Sequence, residues 1–87
     1  MELFQNYPNP FNPETVITYL MPKTGHVTIK IFDLLGKEIV TLINENEEAG
    51  LHRKFLNAKK YSLPSGIYIY RMQAFGFASA RKMLLIK

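Results

Sequence analysis

No cysteine occurs among the 87 residues, so a disulfide framework, a thiolate metal site and a cysteine nucleophile are all excluded. Packing alone must hold the chain. Compartment stays open on this count, because exported domains also dispense with disulfides. Tryptophan is absent too, which removes the largest planar platform for sugars and leaves Tyr7, Tyr61, Tyr68 and Tyr70 for that role. No run reaches the ~18 consecutive apolar residues of a membrane-crossing helix. Met1 to Asn6 also has no basic stretch followed by an apolar one, so neither a membrane span nor a secretory leader is read. Charge is modest: 21% of residues are charged and the net is +4, too little to keep a chain that is 47% apolar from folding. A mass of 10.1 kDa fits one domain over residues 1–87 and excludes a multidomain enzyme.

What the chain does contain begins with proline and asparagine. Gln5 to Thr15 reads QNYPNPFNPET, with prolines at 8, 10 and 13. Three missing amide donors and fixed φ angles exclude helix and central strand, whereas Asn6, Asn9 and Asn12 can close turns on their own backbone. The prediction is an extended strap over residues 3–15, pinned to a sheet by burial of Phe4, Tyr7 and Phe11 and able to supply an extra edge strand.

From residue 16 to residue 87 the pattern is strand and turn. Segments rich in Ile, Val, Thr, Tyr and Phe predict strands at Val16–Met21, His26–Asp33, Glu38–Ile43, Leu51–Asn57, Ile67–Ala74 and Ala78–Ile86. Val27, Ile29 and Ile31 share one face of the second strand. Leu34–Lys37, Leu63–Gly66 and Phe75–Phe77 read as turns, and the acidic stretch Asn44–Glu48 before Gly50 as a solvated hairpin loop. No segment has helical periodicity. The fold class is therefore all-β, an antiparallel β-sandwich of six to seven short strands, since one open sheet would leave an apolar face wet. In the fourth strand, alternation allows either Leu51, Arg53 and Phe55 or His52, Lys54 and Leu56 to face inward.

Chemistry finds little support. Ser62, Ser65, Ser79, His26, His52 and Asp33 supply triad residue types, yet no nucleophile elbow surrounds any serine, and a turn accounts for Ser65. Two histidines 26 residues apart without an HExxH spacing do not make a zinc site, and dispersed glycines do not cradle phosphate. No cofactor is expected. The basic residues His52, Arg53, Lys54, Lys59 and Lys60 are split between two faces and adjoin Glu45, Glu47 and Glu48, so a solvated surface is favoured over nucleic-acid binding.

Several strings nevertheless stand in a specific order: the Asn-Pro strap, Ile17-Thr18-Tyr19, Ala49-Gly50-Leu51-His52, Ser65-Gly66-Ile67-Tyr68-Ile69-Tyr70-Arg71-Met72, and a basic end Lys82-Met83-Leu84-Leu85-Ile86-Lys87. Together they resemble the type A C-terminal sorting domain of type IX secretion cargo, over Leu3 to Lys87. The resemblance implies an immunoglobulin-like β-sandwich without catalytic activity. It also implies a larger cargo upstream, partners in the outer-membrane type IX translocon and a sortase-like surface peptidase, and a route through the periplasm and outer membrane to the cell surface or medium. Family signature positions match Asn6, Pro8, Asn9, Pro10, Phe11, Asn12 and Pro13, with Gly66, Tyr68, Tyr70 and Arg71, all read as structural. The translocation signal of such domains is placed in the last strand, here Arg81, Lys82, Met83, Leu84, Leu85, Ile86 and Lys87. Unpaired backbone groups at that edge are the expected point of capture, and a route to self-association. Its buried alternates are expected to be Leu84 and Ile86. One departure lies at Leu56, where similar sequences often carry Trp; aligning the two turns Leu56 inward, with Lys54 snorkelling. An adhesion or glycan-binding module on the same frame is the alternative reading.

Overall fold

A computed structural model describes residues 1–87. Seven strands form: β1 (Glu2–Leu3), β2 (Glu14–Met21), β3 (Gly25–Phe32), β4 (Glu38–Glu47), β5 (Gly50–Asn57), β6 (Gly66–Ala74) and β7 (Phe77–Leu85). They make two antiparallel sheets, in the order β1-β2-β5 and β4-β3-β6-β7, the two layers of an immunoglobulin-like sandwich. The core lies between them. Period-two alternation builds it: Ile17, Tyr19 and Met21 from β2 meet Val27, Ile29 and Ile31 from β3 and Tyr68, Tyr70 and Met72 from β6, all at 4% exposure or less.

Two expectations change at β4. The acidic stretch is not a hairpin loop: β4 continues through Asn44, Glu45 and Asn46 to Glu47, because β3 pairs with it along the whole length. The chain then crosses to the other sheet at Glu48–Ala49, so β4 and β5 are not ladder neighbours. Register shifts opposite Ile29/Lys30 and Ile31/Phe32 put bulges in β4, where Leu42 and Ile39 are the extra residues. Bulges and flanking carboxylates are devices that keep an edge strand from pairing further.

Turn chemistry follows local rules. Asp33 Oδ1 accepts from the Leu35 and Lys37 amides at 2.9 Å, an Asx-type turn that accounts for this residue without catalysis. Ala58–Tyr61 forms one 3-10 turn capped by Asn57. The Phe75 ring packs over Gly25, where a Cβ would lie 2.4 Å from it, so any side chain there would displace the ring. In β5 the inward residue is Leu56, at 1% exposure, while Phe55 and Leu51 are 73% and 57% exposed. Half-buried Lys54 lies on the inward side, so its charged head must reach out past the core.

Candidate functional site

The strap and the last strand, more than 70 residues apart in sequence, meet at one edge of the sandwich. Three peptide bonds of the strap, Tyr7–Pro8, Asn9–Pro10 and Asn12–Pro13, are cis. Only one of the three predicted aromatic pins is buried: Phe11 is 2% exposed, Phe4 is half-buried, and Tyr7 is 79% exposed. Tyr7 faces outward because its backbone pairs with Val16 of β2, which puts both side chains on the solvent side of that sheet. Phe55 is the cross-strand partner of Val16 on the other side.

Polar bonds anchor the strap instead. Asn6 and Thr15 are the two buried polar residues, each at 2% exposure. Asn6 Nδ2 donates to Thr15 Oγ1 at 3.0 Å and to the Pro8 carbonyl at 3.1 Å, and Thr15 Oγ1 donates to the same carbonyl at 2.9 Å. Prolines remove donors but keep acceptors, and this network uses one of them. The Pro13 carbonyl accepts from the Ala58 amide at 2.9 Å.

Tyr70 joins the strap to the core. Its ring is fully buried, and its hydroxyl donates to the Phe4 carbonyl and accepts from the Asn6 amide, both at 2.7 Å. Tyr68, buried at 4% exposure near the start of β6, donates its hydroxyl to the Pro64 carbonyl. That bond to backbone just upstream is the tyrosine corner of immunoglobulin-like sandwiches. Gly66 opens the same strand at φ 156°, a value side-chain-bearing residues rarely take. Arg71 differs from these neighbours: it is exposed on the outer face of its sheet and makes no ion pair.

Burial pushes the Tyr70 phenol up to about 12, against the lowering effects of the Asn6 amide and the nearby Arg81 charge. Burial raises Tyr68 as well, followed by the Asp33 charge, and it raises Tyr19, followed by the hydrogen bond to Glu47. All three phenols therefore ionise later in the folded chain than in the unfolded one, so the unfolded state releases protons first as pH climbs past about 10. Their contribution to stability is complete below that pH and is lost on rising toward the folded values. The thermal midpoint should hold roughly level from about pH 7 to 9 and fall steeply between about pH 10 and 12; a level midpoint across both ranges would contradict this assignment.

At β7 the structure corrects two expectations. The buried alternates are Met83 and Leu85, each at 1% exposure, whereas Leu84 is half-buried and Ile86 is 48% exposed. β7 is an edge strand, but the outward backbone groups of its C-terminal half are already bonded to the strap. The Leu84 amide donates to Asn9 Oδ1 at 3.0 Å, the Leu84 carbonyl accepts from the Phe11 amide at 3.0 Å, and the Ile86 amide donates to the Phe11 carbonyl at 3.0 Å. Gln5 Nε2 donates to the Lys82 carbonyl at 2.6 Å. Beyond the strand, the Lys87 amide donates to Ser65 Oγ at 3.1 Å. Arg81 turns the other way and donates to the Leu3 carbonyl at 3.1 Å, capping the edge of β1. Gln5 and Arg81 hold the two sheets together here, and nothing in their sequence context marked Gln5 for that role. Pro8, Pro10 and Asn12 are exposed on the outside of the strap and Pro13 is half-buried.

The catalytic residue types do not converge. His26 lies between Asn44 and Asn46, His52 stacks on Tyr19 with ring centroids 5.4 Å apart, and no three His, Asp or Glu side chains gather into a metal-binding group.

No curated protein matches the chain. A family model does: the secretion system C-terminal sorting domain matches residues 5–87, the strap and every strand except β1. The chain thus belongs to the family of C-terminal sorting domains of type IX secretion.

Proposed function

We propose that this domain addresses a larger cargo protein to the outer-membrane type IX translocon and is then removed at the surface by a sortase-like peptidase. The observation that carries the reading is the junction of strap and terminal strand, where the signature residues Asn9 and Phe11 bond directly to Leu84 and Ile86. On this reading the address is a folded surface: Lys82, Ile86 and Lys87 project from β7 and its end, and the strap holds them in place. A linear tail would need no such brace. Membership of the family supports secretion or surface export in general. Direction of this cargo, cleavage and the particular partners are the proposal.

The deciding experiment is export of a fluorescent reporter that carries a Sec signal and ends in residues 3–87, from a type IX competent strain and a translocon-deficient one. Appearance outside the competent strain alone is the expected result. Retention of intact, folded reporter in the periplasm of both strains would overturn the reading.

A further inference from the structure

The strap covers only the C-terminal half of the β7 edge. In the β6–β7 ladder the pairs Ile67–Leu84, Ile69–Lys82, Arg71–Ala80 and Gln73–Ala78 alternate with the directly bonded ones. Leu84 turns its amide and carbonyl outward to the strap, and antiparallel alternation gives Lys82, Ala80 and Ala78 the same orientation. Nothing in the chain bonds Ala78 or Ala80 on that side, and at Lys82 only the carbonyl is taken, by Gln5. Five outward backbone groups therefore have no hydrogen-bond partner in the chain. The opposite edge of this sheet, β4, carries two bulges and several carboxylates; here Ala78-Ser79-Ala80 has neither bulge nor charge, and the charges that follow, Arg81 and Lys82, are cationic and admit only an acidic strand.

The charged side chains of β6 and β7, Arg71, Arg81 and Lys82, are all cationic. On the outer face of the sheet Arg71 is the cross-strand partner of Ala80 and Lys82 stands two residues along β7, and neither lies within ion-pairing distance of a carboxylate. Ala80, Lys82, Arg81 and Ile69 line a shallow depression in the surface. A strand added here at ordinary spacing of about 4.8 Å would place the side chain opposite Ala80 on that same outer face. Across a methyl group, a carboxylate at that position reaches both cations.

We propose that β7 from Ala78 to Lys82 is a docking edge for an extended acidic segment of the secretion machinery, bound by strand addition with a carboxylate over Ala80 between Arg71 and Lys82. The proposal rests on the sorting reading and names the chemistry of its partner. A second copy of this chain fits less well: antiparallel pairing of two β7 edges about Ala80 sets Lys82 opposite Ala78 and Arg81 opposite Ser79 of the other copy, so it brings no carboxylate to Arg71 or Lys82.

The test uses the reporter fusion described above. Ala80→Pro removes one outward amide but no bond of the β6 ladder, and edge positions of this kind tolerate proline. Its melting temperature should stay within about 5 °C of the parent, as expected for a surface change, while export falls at least about tenfold. Ala80→Ser, which keeps the amide, should export normally. Arg71→Glu with Lys82→Glu should also fall about tenfold, and Arg71→Lys with Lys82→Arg should not. If Ala80→Pro unfolds, Ala78→Pro presents the same deletion one pair along.

Failure of the parent fusion to leave the competent strain would sink the sorting reading itself. Export of the parent together with normal export of the folded proline and double-glutamate variants would overturn the docking edge alone. A concentration-dependent dimer of the isolated domain that Ala80→Pro abolishes would give this edge to a second copy and likewise overturn the acidic partner.

Discussion

Replacing Tyr70 by phenylalanine is expected to lower the melting temperature by about 10 °C or more while leaving the all-β spectrum intact. The ring still fills the core, so packing changes little. What is lost is the hydroxyl that serves two backbone groups at once, the Asn6 amide and the Phe4 carbonyl. Both then face the protein interior unpaired, and each buried unsatisfied group costs about 1–3 kcal/mol. A chain of this length has a total stability of roughly 4–13 kcal/mol, so the change is a large fraction of it. Amide exchange at Asn6 should quicken with the loss of its acceptor. A melting temperature within about 3 °C of the parent would mean that Tyr70 is merely a core ring and that the strap is held by other contacts.

Deleting Met83 to Lys87 is expected to unfold the domain rather than only to remove an address. Met83 and Leu85 are almost fully buried, and full burial of such side chains is worth about 1.5–3 kcal/mol each. The same deletion strips Phe11 of both its backbone partners and frees the strap. Together these losses approach the whole stability of so small a domain, so the truncated chain should show no cooperative thermal transition. Lost export from that deletion would therefore not separate recognition from folding. Ile86→Asp with Lys87→Glu does, because both side chains are exposed and the core residues stay in place. We expect this pair to melt within about 5 °C of the parent and to reduce export at least about tenfold. Normal export of the folded double variant would show that the projecting end of β7 is not read by the translocon.

The terminal strand thus has a part that holds the fold, Met83 and Leu85, and beyond it an exposed end, Ile86 and Lys87. Tyr68, Tyr70, Gly66, Asn6 and Phe11 have structural work that the geometry specifies. Arg71, in the same SGxYxYR string, has none: Tyr68 and Tyr70 point inward and Ser65 and Gly66 lie at the turn, whereas Arg71 stands on the outer face with Ile67 and Ile69 and is the one charge there, without an ion-pair partner. A signature string thus mixes two kinds of residue, which the alternation of a strand separates by face.

Alternation and turn chemistry are local properties, and what depends on them is legible in the residues alone: an all-β chain, the inward set Val27, Ile29 and Ile31, the turn at Leu34–Lys37, and a strap barred by its prolines from helix and ladder. Which edges meet is not a local property. Whether β4 turns back on itself or crosses to the other sheet depends on long-range pairing with β3, and it crosses. Leu56 faces inward and Phe55 outward because β2 imposes the register, a choice that the two nearly equal faces of the segment left open. Tyr7 is exposed for the same reason, since pairing with Val16 places it on the outer side of the sheet. The strap's destination is the least local feature of all. A proline-rich segment carries spare carbonyls and side-chain acceptors but no pattern of its own to name a partner, and it finds one in the outward amides of an edge strand some 70 residues away.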